Sequence, residues 1–140
     1  MDGSFSKVPI LVVDDDRDYR ILVRHQLEAV GYQVLESADG NNAFTILGEQ
    51  HVPLVILDIV MPQIEGLEII RGLRRQGCRS MILAVSGVGK ADEYLNLAVR
   101  LGADARFEKS RPVSDLLVAV HDLIGRFERP RHETGFVNGD

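Results

Sequence analysis

Apolar residues occur along this chain in short unbroken runs separated by segments of helical period. Ile10-Leu11-Val12-Val13 and Leu54-Val55-Ile56-Leu57 carry no polar position. A strand with one wet face alternates apolar and polar residues, so such runs read as strands of a parallel sheet covered on both faces. Strands are expected over residues 9–14, 33–37, 54–58, 80–85 and 105–108. Helical segments fill the intervals. Residues 17–30 set Leu22, Val23, Leu27 and Val30 along one stripe and stop at Gly31. Residues 40–49 should bury Ala43, Phe44 and Leu47, and residues 66–75 should bury Leu67, Ile70 and Leu73. The latter place Arg71, Arg74 and Arg75 at the helix end, where the dipole favours cations. Residues 91–101 end at Gly102, and residues 114–127 start on Ser114 as a cap and pack Leu116, Leu117, Val120 and Ile124.

Strand and helix alternate throughout, the pattern of βαβ units and an α/β fold. Open parallel sheets bind ligands beyond the carboxyl ends of their strands, where strand order reverses. In the order 2-1-3-4-5 the reversal lies between the first and third strands. Those two strands end in acid: the first runs into Asp14-Asp15-Asp16 and the third into Asp58. Ser86 and Lys109 follow the fourth and fifth strands at the same edge. Carboxylates crowded together repel, so the cluster implies a cation, a shared proton or raised pKa values. Asp16 and Asp18 are better explained as helix-start residues.

Composition narrows the classes. At 140 residues the chain has room for one domain. A net charge of −5 argues against a generic nucleic-acid or anionic-membrane surface. Cys78 has no internal partner, the start lacks the basic and apolar regions of a signal peptide, and no apolar stretch is long enough to span a membrane, so a cytoplasmic setting is expected. Gly87-Val88-Gly89-Lys90 fails as a phosphate loop, because Ala84 and Ala91 occupy the outer positions of the Walker pattern. His25, His51, His121 and His132 have no ligand spacing and read as surface residues.

Over roughly residues 8–127 the chain resembles the receiver domains of two-component response regulators. The matching residues are the acidic pair Asp14-Asp15, Asp58 followed by Met61-Pro62 and Gly66, Ser86-Gly87, and Gly102-Ala103-Asp104 ahead of Lys109. The resemblance implies a flavodoxin-like fold, a doubly wound five-stranded parallel sheet in the order 2-1-3-4-5. It also implies a receiver domain over residues 8–128, with a short extension over 1–7 and a flexible tail over 129–140. Nothing after Glu128 could form an output domain. A single-domain regulator is therefore expected, unless the tail marks the boundary of a fragment.

By the same resemblance, Asp58 accepts a phosphoryl group from a sensor histidine kinase or a histidine phosphotransfer protein. The domain then catalyses only its own phosphorylation and dephosphorylation. Mg²⁺ is the implied cofactor, held by Asp15, Asp58 and the backbone carbonyl of Val60, with Asp14 holding a metal-bound water. Lys109 would neutralise charge on the phosphoryl oxygens, and Ser86 would hydrogen-bond one of them after transfer. That contact would bias a two-state surface around the fourth helix, fifth strand and fifth helix, where a downstream protein or a second copy docks.

Two departures stand out. Lys109 is followed by Ser110-Arg111-Pro112, with the family's usual proline displaced by two positions, so a trans Lys109–Ser110 bond is expected. Arg106 replaces the usual switch aromatic, while Phe107 faces the other side of the strand. Arg106 is expected to stay outward, available to an acid on a partner. Two other functions compete. One is a Mg²⁺-dependent phosphotransferase or phosphatase with Asp58 as nucleophile toward small substrates; its haloacid-dehalogenase type would want D-x-D-x-T, whereas Asp58 is followed by Ile59-Val60-Met61-Pro62. A degenerate receiver binding partners without phosphorylation is disfavoured by the intact acids.

Overall fold

The computed structural model describes residues 8–61, 66–87 and 91–128, without the side chain of Ala91. The expected extension over 1–7, the tail over 129–140, Pro62 and the Val88–Lys90 stretch lie outside the described residues. The strands are β1 (Pro9–Val13), β2 (Gln33–Ser37), β3 (Leu54–Asp58), β4 (Met81–Ser86) and β5 (Ala105–Glu108). The helices are α1 (Arg17–Ala29), α2 (Gly40–Glu49), α3 (Gly66–Arg75), α4 (Ala91–Leu101) and α5 (Val113–Glu128). All strand pairs are parallel in the order β2-β1-β3-β4-β5, as expected.

The unbroken apolar runs are explained by the two cores. Ile10, Val12, Leu54, Ile56, Leu83 and Val85 point to one face, where Val23 and Leu27 of α1 and Leu116, Val120 and Leu123 of α5 cover them. Leu11, Val13, Val55, Leu57, Ile82 and Ala84 point to the other, under α2, α3 and α4. Each such side chain contributes about 1.5–3 kcal/mol on full burial. No helix among the described residues is long and apolar enough to cross a membrane.

Several local expectations are corrected. The stripe on α1 is narrower than predicted: Val23 and Leu27 are buried, but Leu22 is 45% and Val30 58% exposed. Val30 has left the helix, with φ −104° and ψ 12°, so it no longer follows the stripe. Gly31 and Gly102 do stop their helices, with φ of 103° and 130°. Phe44, Leu47 and Leu117 are only half-buried. Ser114 is not the cap of α5: the helix begins one residue earlier, and the Asp115 N–H donates to the Pro112 carbonyl at 2.9 Å.

Arg74 does more than complement a dipole. Its guanidinium donates to the carbonyls of Cys78 (2.8 Å), Ser80 (2.9 Å) and Gly102 (3.0 Å), and pairs with Asp104 at 2.9 Å. One side chain thus ties α3 to the entrances of β4 and β5.

Candidate functional site

Register brings the acids together. Val13 pairs with Leu57 and Asp58 with Val85, so the chain ends of β1, β3 and β4 share one edge. Strand β1 stops at Val13, one residue short of the prediction, and Asp14 N–H continues the ladder by donating to Ser37 O at 3.0 Å. Strand β4 runs one residue further than predicted, so Ser86 is its last residue, fully buried and paired in register with Glu108. The Lys109 N–H donates to Ser86 O at 3.0 Å, which places the lysine at the same edge.

Asp14 and Asp58 are 2% and 5% exposed, whereas Asp15 faces solvent. Their carboxylate oxygens lie within 4.8 Å of one another. Lys109 Nζ stands among them, 2.9 Å from Asp14 Oδ2 and 3.5 Å from Asp58 Oδ2. The remaining oxygens are held by backbone: Asp16 N–H donates to Asp14 Oδ1 and Val60 N–H to Asp58 Oδ1, both at 2.9 Å. Asp16 itself caps α1 through the Asp18 and Tyr19 amides, which confirms it as a helix-start residue.

Burial, with the Asp14 charge adding to it, pushes the Asp58 carboxyl up from 3.8 to about 6, against the opposing Val60 N–H and Lys109. Burial alone would lower the Lys109 ammonium, but its contacts with Asp14 and Asp58 outweigh that and raise it. The donor set is hard oxygen from three carboxylates, which is what Mg²⁺ prefers. The acidic pocket therefore fits a magnesium ion.

Gly66, eight positions after Asp58, is required by close approach. Its N–H donates to Ile59 O at 3.1 Å, and a Cβ there would overlap the Asp58–Ile59 backbone. The glycine lets α3 begin directly against the loop that carries the acid.

Sequence reasoning missed some of the site's supports. Arg20 NH1 donates to Asp14 O at 2.6 Å while its Nε pairs with Glu36 at 2.9 Å, locking the β1 end to β2. The Tyr19 ring lies under Lys109, with Nζ 4.6 Å from the centroid. Both residues lie in the first turns of α1, directly after the acidic run, and that position is the signal the sequence offers.

The departures resolve in part. No cis peptide bond occurs among the described residues, so Lys109–Ser110 is trans as expected. Phe107 is buried on the α1/α5 side, opposite Arg106. Arg106, however, is not waiting for a partner's acid: it pairs with Asp92 and hydrogen-bonds Asn96, both on α4, and lies 3.4 Å from Glu108. His25, His51 and His121 are exposed.

Residues 10–121 match the family model described as "Response regulator receiver domain". The "Probable transcriptional regulator ycf27" of Cyanophora paradoxa is 33% identical over 135 residues, 96% of this chain and 56% of that protein. The chain thus spans about half the length of the curated relatives it matches. Among solved structures, a CheY-like response regulator receiver domain protein from Methanospirillum hungatei JF-1 superposes with a TM-score of 0.79 at 26% identity, covering 86% of this chain and 95% of that one. The response regulator TrrA of Thermotoga maritima, solved in complex with Mg²⁺-BeF, gives a TM-score of 0.75 at 30% identity over 84% of this chain and 99% of its own.

Proposed function

This chain belongs to the receiver-domain family of two-component response regulators, and we propose that it is a phosphoacceptor switched by phosphorylation of Asp58. The observation that supports this best is the convergence of a buried carboxylate with raised pKa, two further acids and one ammonium at a sheet edge. A structural ion pair would not need a third carboxylate within 4.8 Å of the two that meet Lys109.

Asp58 offers Oδ2 to the phosphorus of a phosphohistidine on a sensor kinase or phosphotransfer protein. The new O–P bond forms as the P–N bond breaks and the imidazole leaves. The Val60 N–H fixes Oδ1, so the carboxylate cannot rotate away from attack. Lys109 faces Oδ2 and takes up charge on the transferred group. Mg²⁺, held by Asp15, Asp58 and the Val60 carbonyl with Asp14 holding a metal-bound water, would neutralise the donor's charge that the acids otherwise repel. Ser86 donates its hydroxyl to a phosphoryl oxygen and draws the end of β4 inward. Strand β5 pairs with β4 there, so the movement passes to the α4–β5–α5 face, where a downstream protein or a second copy binds. The domain acts in the cytoplasm and turns over nothing but its own phosphoryl group.

Exposure to acetyl phosphate with Mg²⁺, followed by intact-mass measurement, tests the reading. One phosphoryl group should add to the parent and none to Asp58→Asn. Labelling of Asp58→Asn equal to the parent, or labelling indifferent to a chelator, sinks it.

A further inference from the structure

A lysine has a long, flexible stem, and its ammonium is a point charge without directional preference. Lys109 must nevertheless be held near Asp58 Oδ2 rather than collapse onto Asp14, which it already approaches more closely, at 2.9 Å against 3.5 Å. Two features confine it. The first is Gly87: a Cβ there would come within 3.2 Å of Lys109 Cδ and 3.3 Å of its Cβ, so the stem rests on bare backbone. The second is the Tyr19 ring, with Nζ 4.6 Å from its centroid. The ring is itself fixed, because the Tyr19 N–H donates to the Asp16 cap at 3.3 Å and the side chain packs half-buried against the α1/α5 core.

We propose that Tyr19 is a positioning residue for Lys109: the negative face of its ring supplies a third attraction that keeps the ammonium between Asp14 and Asp58. Two acids alone leave Lys109 free to settle wholly on either. The ring adds an aromatic face within reach of the ammonium, which attracts a cation without neutralising it as a carboxylate would. The charge therefore remains available to a phosphoryl oxygen on Asp58. The phenolic hydroxyl has no part in this, so the ring alone is the requirement.

The inference rests on the phosphoacceptor reading, and two measurements keep the fates of the two apart. The first is the initial rate of labelling by acetyl phosphate with Mg²⁺. Tyr19→Leu, which keeps apolar bulk but removes the ring, should slow labelling roughly 3- to 20-fold, the factor a partly desolvated cation–π contact represents. Tyr19→Phe, which keeps the ring face, should restore it to within about twofold, the spread of near-neutral changes. In a Lys109→Ala background, Tyr19→Leu should cost nothing further. The second measurement needs no phosphorylation: the Lys109 Cε protons should show an upfield ring-current shift in the NMR spectrum, retained in Tyr19→Phe and lost in Tyr19→Leu. An unchanged rate in Tyr19→Leu, an equal loss in Tyr19→Phe, or a loss that persists without Lys109 overturns the proposal. If the parent itself takes no label, the phosphoacceptor reading fails, and the ring-current shift alone decides whether Tyr19 holds Lys109.

Discussion

Replacing Asp58 by asparagine should make the metal-free protein more stable, and by an amount that depends on pH. Asp58 is buried beside Asp14, and its carboxyl rises from 3.8 to about 6. A carboxyl with a raised folded-state pKa holds its proton more tightly folded than unfolded. Stability is therefore greatest below about pH 4 and is lost as pH rises through 6. Two units at about 1.4 kcal/mol each set a ceiling near 3 kcal/mol. Solvent reaching the mouth of the site at Asp15 screens part of that, leaving ~1–2 kcal/mol.

Asn at position 58 removes the charge but keeps an oxygen to accept the Val60 N–H. It forfeits the Lys109 contact at 3.5 Å, while the shorter Asp14 contact remains. With a chelator present, urea unfolding followed by far-UV circular dichroism at about pH 7.5 should find Asp58→Asn more stable than the parent by ~1–2 kcal/mol. At about pH 4.0 the gap should close to under ~0.5 kcal/mol. Glu36 titrates in the opposite sense. Burial pushes its carboxyl up, but Arg24 and Arg20 outweigh that and hold it below the usual range, so its contribution is lost as pH falls. It does so in both proteins and cancels from the comparison. Saturating Mg²⁺ should reverse the order, because only the parent keeps the full set of metal-binding carboxylates. A variant less stable than the parent at about pH 7.5 without metal, or a gap that ignores pH, would refute the reasoning.

Three further outcomes are expected. Isothermal titration with Mg²⁺ should show a larger loss of affinity in Asp15→Asn than in Asp14→Asn, since direct ligation is assigned to Asp15; the reverse order would reassign the ligands. Gly66→Ala forces the α3 start away from the Asp58–Ile59 backbone, so it should destabilise by roughly 2–4 kcal/mol in urea unfolding and depress Asp58 labelling as well. Arg106→Ala removes the links to Asp92 and Asn96. Faster hydrogen exchange should follow at the start of α4 while Asp58 still takes the phosphoryl group, and unchanged exchange there would mean that the bridge does not restrain the helix.

What the sequence displayed plainly was whatever depends on a neighbour in the chain or on a period. The β-strands were legible because unbroken apolar runs have one physical explanation, burial on both faces. The acids, Ser86 and Lys109 were legible because each follows such a run, so the sheet edge gathers them whatever the loops do. Strand ends differ by one residue at Asp14 and Ser86: β1 ends at Val13 although Asp14 still donates to Ser37, and pairing with Glu108, not composition, carries β4 on to Ser86. The stripe on α1 is narrower than its period suggests for a related reason: a periodic pattern states which residues could face the core, while the strands and α5 that pack against the helix decide which do.

Arg74 and Arg106 show the other limit. Each reads as a surface cation, one suited to a helix dipole and one to a foreign acid, because the acid that each meets at closest range is far off in the chain. The partners lie 30 residues away for Arg74, at Asp104, and 14 away for Arg106, at Asp92. Their consequences differ with burial. Arg74 satisfies carbonyls that close the lower edge of the sheet, where unmet acceptors would be costly, so it acts as a fastener. Arg106 pairs at the surface with an acid at the start of α4, close to the strand end that carries Ser86, where a single pair is weak and readily exchanged. A bridge of that strength restrains α4 without fixing it. The position occupied elsewhere in the family by an aromatic ring is filled here by a charge whose acid sits on the helix that the switch is expected to move.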